Sequence, residues 1–89
     1  MLIVQSSTQF RKDLKKSLKS GKDLKKLEKV VSLLEHGEPL PNKYDDHPLK
    51  GNYKDCRDCH IEPDWLLIYM IEGNILKLLR VGSHSQLFL

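Results

Sequence analysis

The apolar positions of this chain change period twice, and each change marks a new element. Residues 2–5 form a short run of strand character. Phe10, Leu14 and Leu18 then recur at i, i+4 and i+8, the spacing of one helix face, and Ser6, Ser7 or Thr8 can cap that helix. Ser20-Gly21 ends it. A second helix is predicted from about Asp23, with Leu24, Leu27, Val30, Val31 and Leu34 on one face. Gly37 suits its C′ position, and His36 lies in the last turn, where a cation favours the negative end of the helix dipole. Pro39, Pro41, Asn42 and Pro48 mark an irregular stretch over about 37–52. Three strand-like runs follow at 53–61, 65–71 and 75–81. The first is the least regular, and Gly73-Asn74 makes a tight turn between the last two. The predicted order is β-α-α-β-β-β: an α+β fold in which a helical hairpin packs on one face of a small, mainly antiparallel sheet.

That order has a consequence for the polar residues. If the last three strands form a meander, its first and third strands run parallel, and their C-terminal ends share one edge with the start of the middle strand. His60, Asp64, Arg80 and His84 then converge, although up to 24 residues separate them. His47 belongs to the preceding loop, and topology alone does not place it.

Eighty-nine residues make one domain, and 39% hydrophobic with 30% charged residues describes a soluble globular chain. No run approaches the roughly 18 to 20 apolar residues that span a bilayer. The opening Met1-Leu2-Ile3-Val4 is too short for a signal peptide and lacks a basic start, so the expected location is the cytoplasm. Cys56 and Cys59 form a Cys-x-x-Cys pair, but strand residues three apart point to opposite faces and no second pair exists. Incidental reduced thiols are expected. Net charge is +3, yet residues 11–29 alone carry +6, from nine Lys/Arg against three acids. This basic block fits a phosphate-rich partner or an acidic protein segment, and it fits a solvated helix face as well.

The candidate chemistry lies in three runs: His47-Pro48-Leu49-Lys50-Gly51, His60-Ile61-Glu62-Pro63-Asp64-Trp65 and Arg80-Val81-Gly82-Ser83-His84. Metal-free RNA cleavage needs a base for the 2′-hydroxyl, an acid for the departing 5′-oxygen and a cation for the crowded phosphorane. Imidazoles supply the first two near neutral pH, and Arg80 can hold phosphate oxygens. Asp64 can orient an imidazole or act as a base. Each residue also has a plain structural reading. A single histidine fits a hydrogen-bonded surface group, Asp64 fits a turn, and Arg80 fits an ion pair with Asp58 or Glu62. Trp65, Tyr69 and Phe88 fit packing. Zinc held by His47, His60, His84 and Asp64 is a second chemical reading, disfavoured by the absence of a ligand pair within one element and by the nearby Arg80.

The runs 46–51, 57–69 and 80–88, above all His60-x-Glu62-Pro63-Asp64-Trp65 followed by Arg80-x-Gly82-Ser83-His84, resemble the YafQ branch of the RelE/ParE toxin superfamily over essentially the whole chain. The small departures are Cys56, Cys59 and one residue, Leu89, beyond Phe88. The resemblance implies a type II toxin that cleaves mRNA on the ribosome without a metal or other cofactor. A dimeric ribbon-helix-helix antitoxin would silence it in a heterotetramer and alone contact operator DNA, with no membrane partner. It implies His84 as general acid, Arg80 as transition-state stabiliser, and His47, His60 and Asp64 as base or orienting groups. Phe88 would help place the nucleotide. Lys50, Trp65 and Phe88, with Lys15, Lys19, Lys25 and Lys26 on the helices, are the candidate RNA contacts. The superfamily also contains ParE-like poisons of DNA gyrase, which share the fold and bind without cleaving; the histidines separate the two readings.

Overall fold

The computed structural model describes residues 1–88. The elements run β1 (Ile3–Ser6), α1 (Thr8–Lys19), α2 (Leu24–Glu35), β2 (His47–Pro48), β3 (Arg57–Glu62), β4 (Trp65–Glu72), β5 (Ile75–Gly82) and α3 (His84–Phe88). The expected order is present, with β2 and α3 added to it. β2 lies between two 3₁₀ turns within the stretch expected to be irregular, and Tyr53, expected to open a strand, belongs to the second of these turns. The sheet order is β1-β5-β4-β3-β2; β1 pairs with β5 in parallel and the other pairings are antiparallel.

Local sequence accounts for the helix ends. Ser7 caps α1 by accepting the Phe10 N–H, and Asp23 caps α2 by accepting the Lys25 N–H. Gly37, at φ +73°, takes the left-handed position after α2, and the Gly37 and Glu38 N–H groups donate back to Leu34 and Leu33 carbonyls. Phe10 is buried as expected, but Leu18 is 39% exposed, and the buried residue beside it on the sheet-facing side is Ser17. The reason is Trp65: its indole Nε1–H donates to Ser17 Oγ at 3.0 Å, so α1 turns a small hydroxyl, not a leucine, to the sheet.

Both faces of the sheet are covered. Phe10, Leu27, Val30 and Leu34 of the helices pack on Cys59, Ile61, Trp65, Leu67, Tyr69, Leu76, Leu78 and Val81. On the opposite face Leu66 and Ile68 form a smaller core with Cys56 and Leu87, flanked by Leu49 and Tyr53. The two free thiols therefore lie on opposite faces, and burial pushes Cys59 up to about 12. Among the described residues no helix is long and apolar enough to cross a membrane.

A bulge in β5 matters for the site. Ile68 pairs with Arg80 and Tyr69 with Leu78, leaving Leu79 unmatched. The extra residue reverses side-chain parity, so Arg80 shares a face with Ile68 while Val81 joins the helix-side core. Ser7 holds the bulge: its hydroxyl donates to the Leu79 carbonyl at 2.9 Å while capping α1.

Candidate active site

The face opposite the helices gathers the polar residues. Cross-strand partners share a face, and His47 pairs with Asp58, Asp58 with Ile68, Ile68 with Arg80 and His60 with Leu66. His47, which topology alone could not place, is brought in by β2. Its loop is anchored by Asp46, whose carboxylate accepts the Tyr69 hydroxyl at 2.7 Å and the Arg57 Nε–H at 3.2 Å. Asp45 adopts a left-handed backbone (φ 45°, ψ 51°), and its carbonyl accepts the His47 Nδ1–H at 2.8 Å.

His84 arrives by a different device. Ser83 caps α3 by accepting the Gln86 N–H, while Gln86 Oε1 accepts the Ser83 N–H at 2.9 Å, a reciprocal capping box. A Cβ at Gly82 would lie 2.7 Å from that same Oε1, so only glycine leaves room for the cap. The His84 N–H and Nδ1–H both donate to Asp64 Oδ1, at 2.9 and 2.8 Å. These bonds, the backbone one foremost, hold the Asp64 carboxyl below its usual range. A carboxylate only accepts, so the shared contact assigns the proton to Nδ1 and turns Nε2 away from Asp64.

The three rings form a row. His60 sits in the middle, its centroid 6.3 Å from that of His47 and 5.3 Å from that of His84. Its Nε2 is 3.7 Å from Asp45 Oδ2. Phe88 continues the row 6.4 Å beyond His84, packs edge-on against Tyr53 and is 42% exposed. An exposed ring beside an imidazole is a surface on which a base can stack.

Arg80 pairs with neither Asp58 nor Glu62. Its Nε and Nη2 donate to Asp13 at 2.7 and 3.2 Å, and the Val81 N–H adds a third bond to that carboxylate. Burial pushes Asp13 up, but these bonds and one from Gln9 outweigh it and hold the carboxyl below its usual range. Asp13, with Tyr53 beside it, raises Arg80 in turn, so the guanidinium stays cationic and keeps Nη1 outside the pair.

One expected RNA contact, Trp65, needs correction, and a second, Lys26, has a partner. Trp65 is 1% exposed and hydrogen-bonded to Ser17, so its ring has no face to offer RNA. Lys26 is exposed but paired at 2.7 Å with Glu62, which Lys22 also contacts at 3.1 Å. It still lines a cleft of about 660 Å³ that begins at His60 and includes Lys29, Lys43 and Tyr44. Lys15, Lys19, Lys25 and Lys50 are exposed. The lysines that share a groove with Arg80 are Lys12 and Lys16, one turn apart on α1. Those two were missed in the sequence, as was Asp58. The i, i+4 spacing of Lys12 and Lys16 beside Asp13 was legible; their closeness to Arg80 depends on the bulge.

A helical hairpin on one face of a five-stranded mixed sheet is a RelE-like α+β fold, and on the other face this chain carries a row of imidazoles. The chain belongs to the YafQ family, described as bacterial toxins of type II toxin–antitoxin systems, whose pattern it matches over residues 2–89. It is 44% identical over 86 residues to the mRNA interferase toxin YafQ of Escherichia coli K12, covering 96% of this chain and 94% of that protein. The E. coli DinJ–YafQ complex contains a chain of the same fold, with TM-score 0.90, 43% identity and 99% of both chains covered. A metal-bound toxin from Helicobacter pylori is 54% identical with TM-score 0.93, over 99% of this chain and 100% of that one.

Proposed function

We infer that this chain is an mRNA interferase: a ribosome-dependent, metal-independent endoribonuclease of the cytoplasm. The observation that carries this reading is the row of three imidazoles, two of which sit against carboxylate oxygens at 2.8 and 3.0 Å. Attack of a 2′-hydroxyl on the adjacent phosphorus needs proton acceptor and donor on opposite sides of one phosphate, and neighbouring rings in a row meet that need. His84, its Nδ1–H bound to Asp64, is the general acid: the carboxylate fixes the ring and leaves its Nε2 side for the departing 5′-oxygen. His60, with no hydrogen-bonded carboxylate among the described residues, stands on the base side, and His47 lies beside it. Arg80 offers Nη1 to the phosphorane oxygens. Phe88 stacks a base, and Lys50 and the lysines of the His60 cleft give the strand a cationic track.

Metal-dependent chemistry is the competing reading, since one H. pylori relative is metal-bound and another is copper-bound. Among the described residues no group of three or more His, Cys, Asp or Glu side chains is arranged to hold a metal ion. An antitoxin is the natural silencer. Its acidic segment would lie on the basic helices, and a dimeric ribbon-helix-helix region would complete a heterotetramer and contact operator DNA.

Expression in a bacterial host tests the reading against a gyrase poison. The expected outcome is arrested translation with mRNA 5′ ends mapping within codons. Intact mRNA with broken chromosomal DNA would overturn it.

A further inference from the structure

Beneath the imidazoles lies a carboxylate that this chemistry leaves unused. Asp58, at the second position of β3, is only 2% exposed. Its Oδ1 lies 3.0 Å from His47 Nε2, but off the hydrogen-bond direction, and has no hydrogen-bond partner among the described residues. A buried carboxylate oxygen without a donor is costly, and an apolar residue there would pack against Ile68 without that cost. The charged and titratable groups that reach Asp58 are His47 from β2, His60 from β3, His84 from α3 and Asp45 from the loop before β2. His47 has already committed Nδ1–H to the Asp45 carbonyl, so Nε2, 3.0 Å from the carboxylate, is the nitrogen left to meet Asp58.

We propose that Asp58 is a positioning residue for the reaction, holding the Nε2 side of His47 and thereby fixing that imidazole's orientation and proton. The inference rests on the ribonuclease reading of the site. In the free protein the contact has the distance of a hydrogen bond but not its angle. Catalytic hydrogen bonds of unliganded sites tighten when substrate binds, and a small turn of the His47 ring completes this one. Burial pushes the Asp58 carboxyl up, and the imidazoles oppose that shift. The sign follows: a raised carboxyl opposes folding once pH climbs through its folded-state value. Asp58→Asn therefore melts no lower than the parent at neutral pH.

The test uses Asp58→Asn, His47→Ala and their combination. Asp58→Asn is expected to keep its fold while cutting ribosome-bound mRNA roughly ten- to a hundredfold more slowly, with an altered pH profile. The double variant should be no slower than His47→Ala alone. In a ¹³C NMR titration the Asp58 midpoint should rise in His47→Ala, because the imidazole's charge is what lowers it. Additive losses, or a midpoint that ignores His47, would overturn the proposal. A parent chain that never cuts RNA would overturn the ribonuclease reading instead, and the titration would still judge the pairing of Asp58 with His47.

Discussion

Asp64 and His84 show how one carboxylate sets the state of one imidazole. Asp64 lies below its usual range because His84 donates to it twice, so the pair is intact at neutral pH and is lost only as pH falls through that depressed value. Asp64→Asn should thus leave folding unchanged, since both residues are exposed, yet reduce the cleavage rate at saturating substrate by about tenfold or more. Single-turnover kinetics on programmed ribosomes would show it; an unchanged rate would leave Asp64 as a turn residue. Trp65 gives the opposite lesson. Beside Asp64 it reads as a site residue, but β4 alternation groups it with Leu67 and Tyr69 on the helix side. Parity was the better guide than proximity in sequence. Trp65→Ala should cost about 3–5 kcal/mol in chemical denaturation, the range for aromatic truncation in a packed core. A loss under about 1 kcal/mol would argue that the site is not packed this way.

At the scale of elements, the site depends on two devices of unequal legibility. The capping box of α3 was readable as Ser83-x-x-Gln86, a known helix-start pattern, although the helix it opens is only five residues long, His84–Phe88. Gly82→Ala should displace Gln86, loosen α3 and lower cleavage, while the core-side strands keep their amide protection in hydrogen exchange. Full activity would show that His84 does not need the cap. The bulge at Leu79 was not readable, because consecutive apolar residues at 78 and 79 look the same with or without it. Only the pairing of Arg80 with Ile68 and the Ser7 hydroxyl on Leu79 reveal it. Ser7→Ala removes a helix cap and the anchor of the bulge together. A stability loss of about 1 kcal/mol, the usual cost of a cap, should accompany reduced cleavage. β2 was missed for a related reason: two residues in a proline-rich stretch carry no periodicity, and tertiary pairing with β3 alone makes them a strand.

For the whole molecule, the strand and helix order was legible because long amphipathic runs dictate it, and that order predicts a convergence of His60, Asp64, Arg80 and His84. Of these, the structure links His60, Asp64 and His84 directly and gives Arg80 to Asp13. What escaped was the shape of the basic surface, which depends on how α1 lies against β5. Lys12 and Lys16 flank Arg80, whereas Lys26 is partly neutralised by Glu62. Reversing charge at Lys15, Lys19 and Lys25 should weaken ribosome binding and flatten its dependence on log salt by about 0.7–0.9 for each phosphate no longer neutralised. Sedimentation at several KCl concentrations checks this, and an unchanged slope would reduce these lysines to a solvated face. In the proposed mechanism, His84 delivers the proton in a metal-free cut of ribosome-bound mRNA. The most direct test of that step is the cleavage rate of a defined codon on programmed ribosomes, for the parent and for His84→Ala, with a zinc- and copper-selective chelator that spares magnesium. The parent should cut despite the chelator and leave a 2′,3′-cyclic phosphate, and folded His84→Ala should bind but cut about 10²–10⁴ times more slowly. Cleavage by His84→Ala at the parent rate, or parent cleavage that returns only with added zinc, would contradict it.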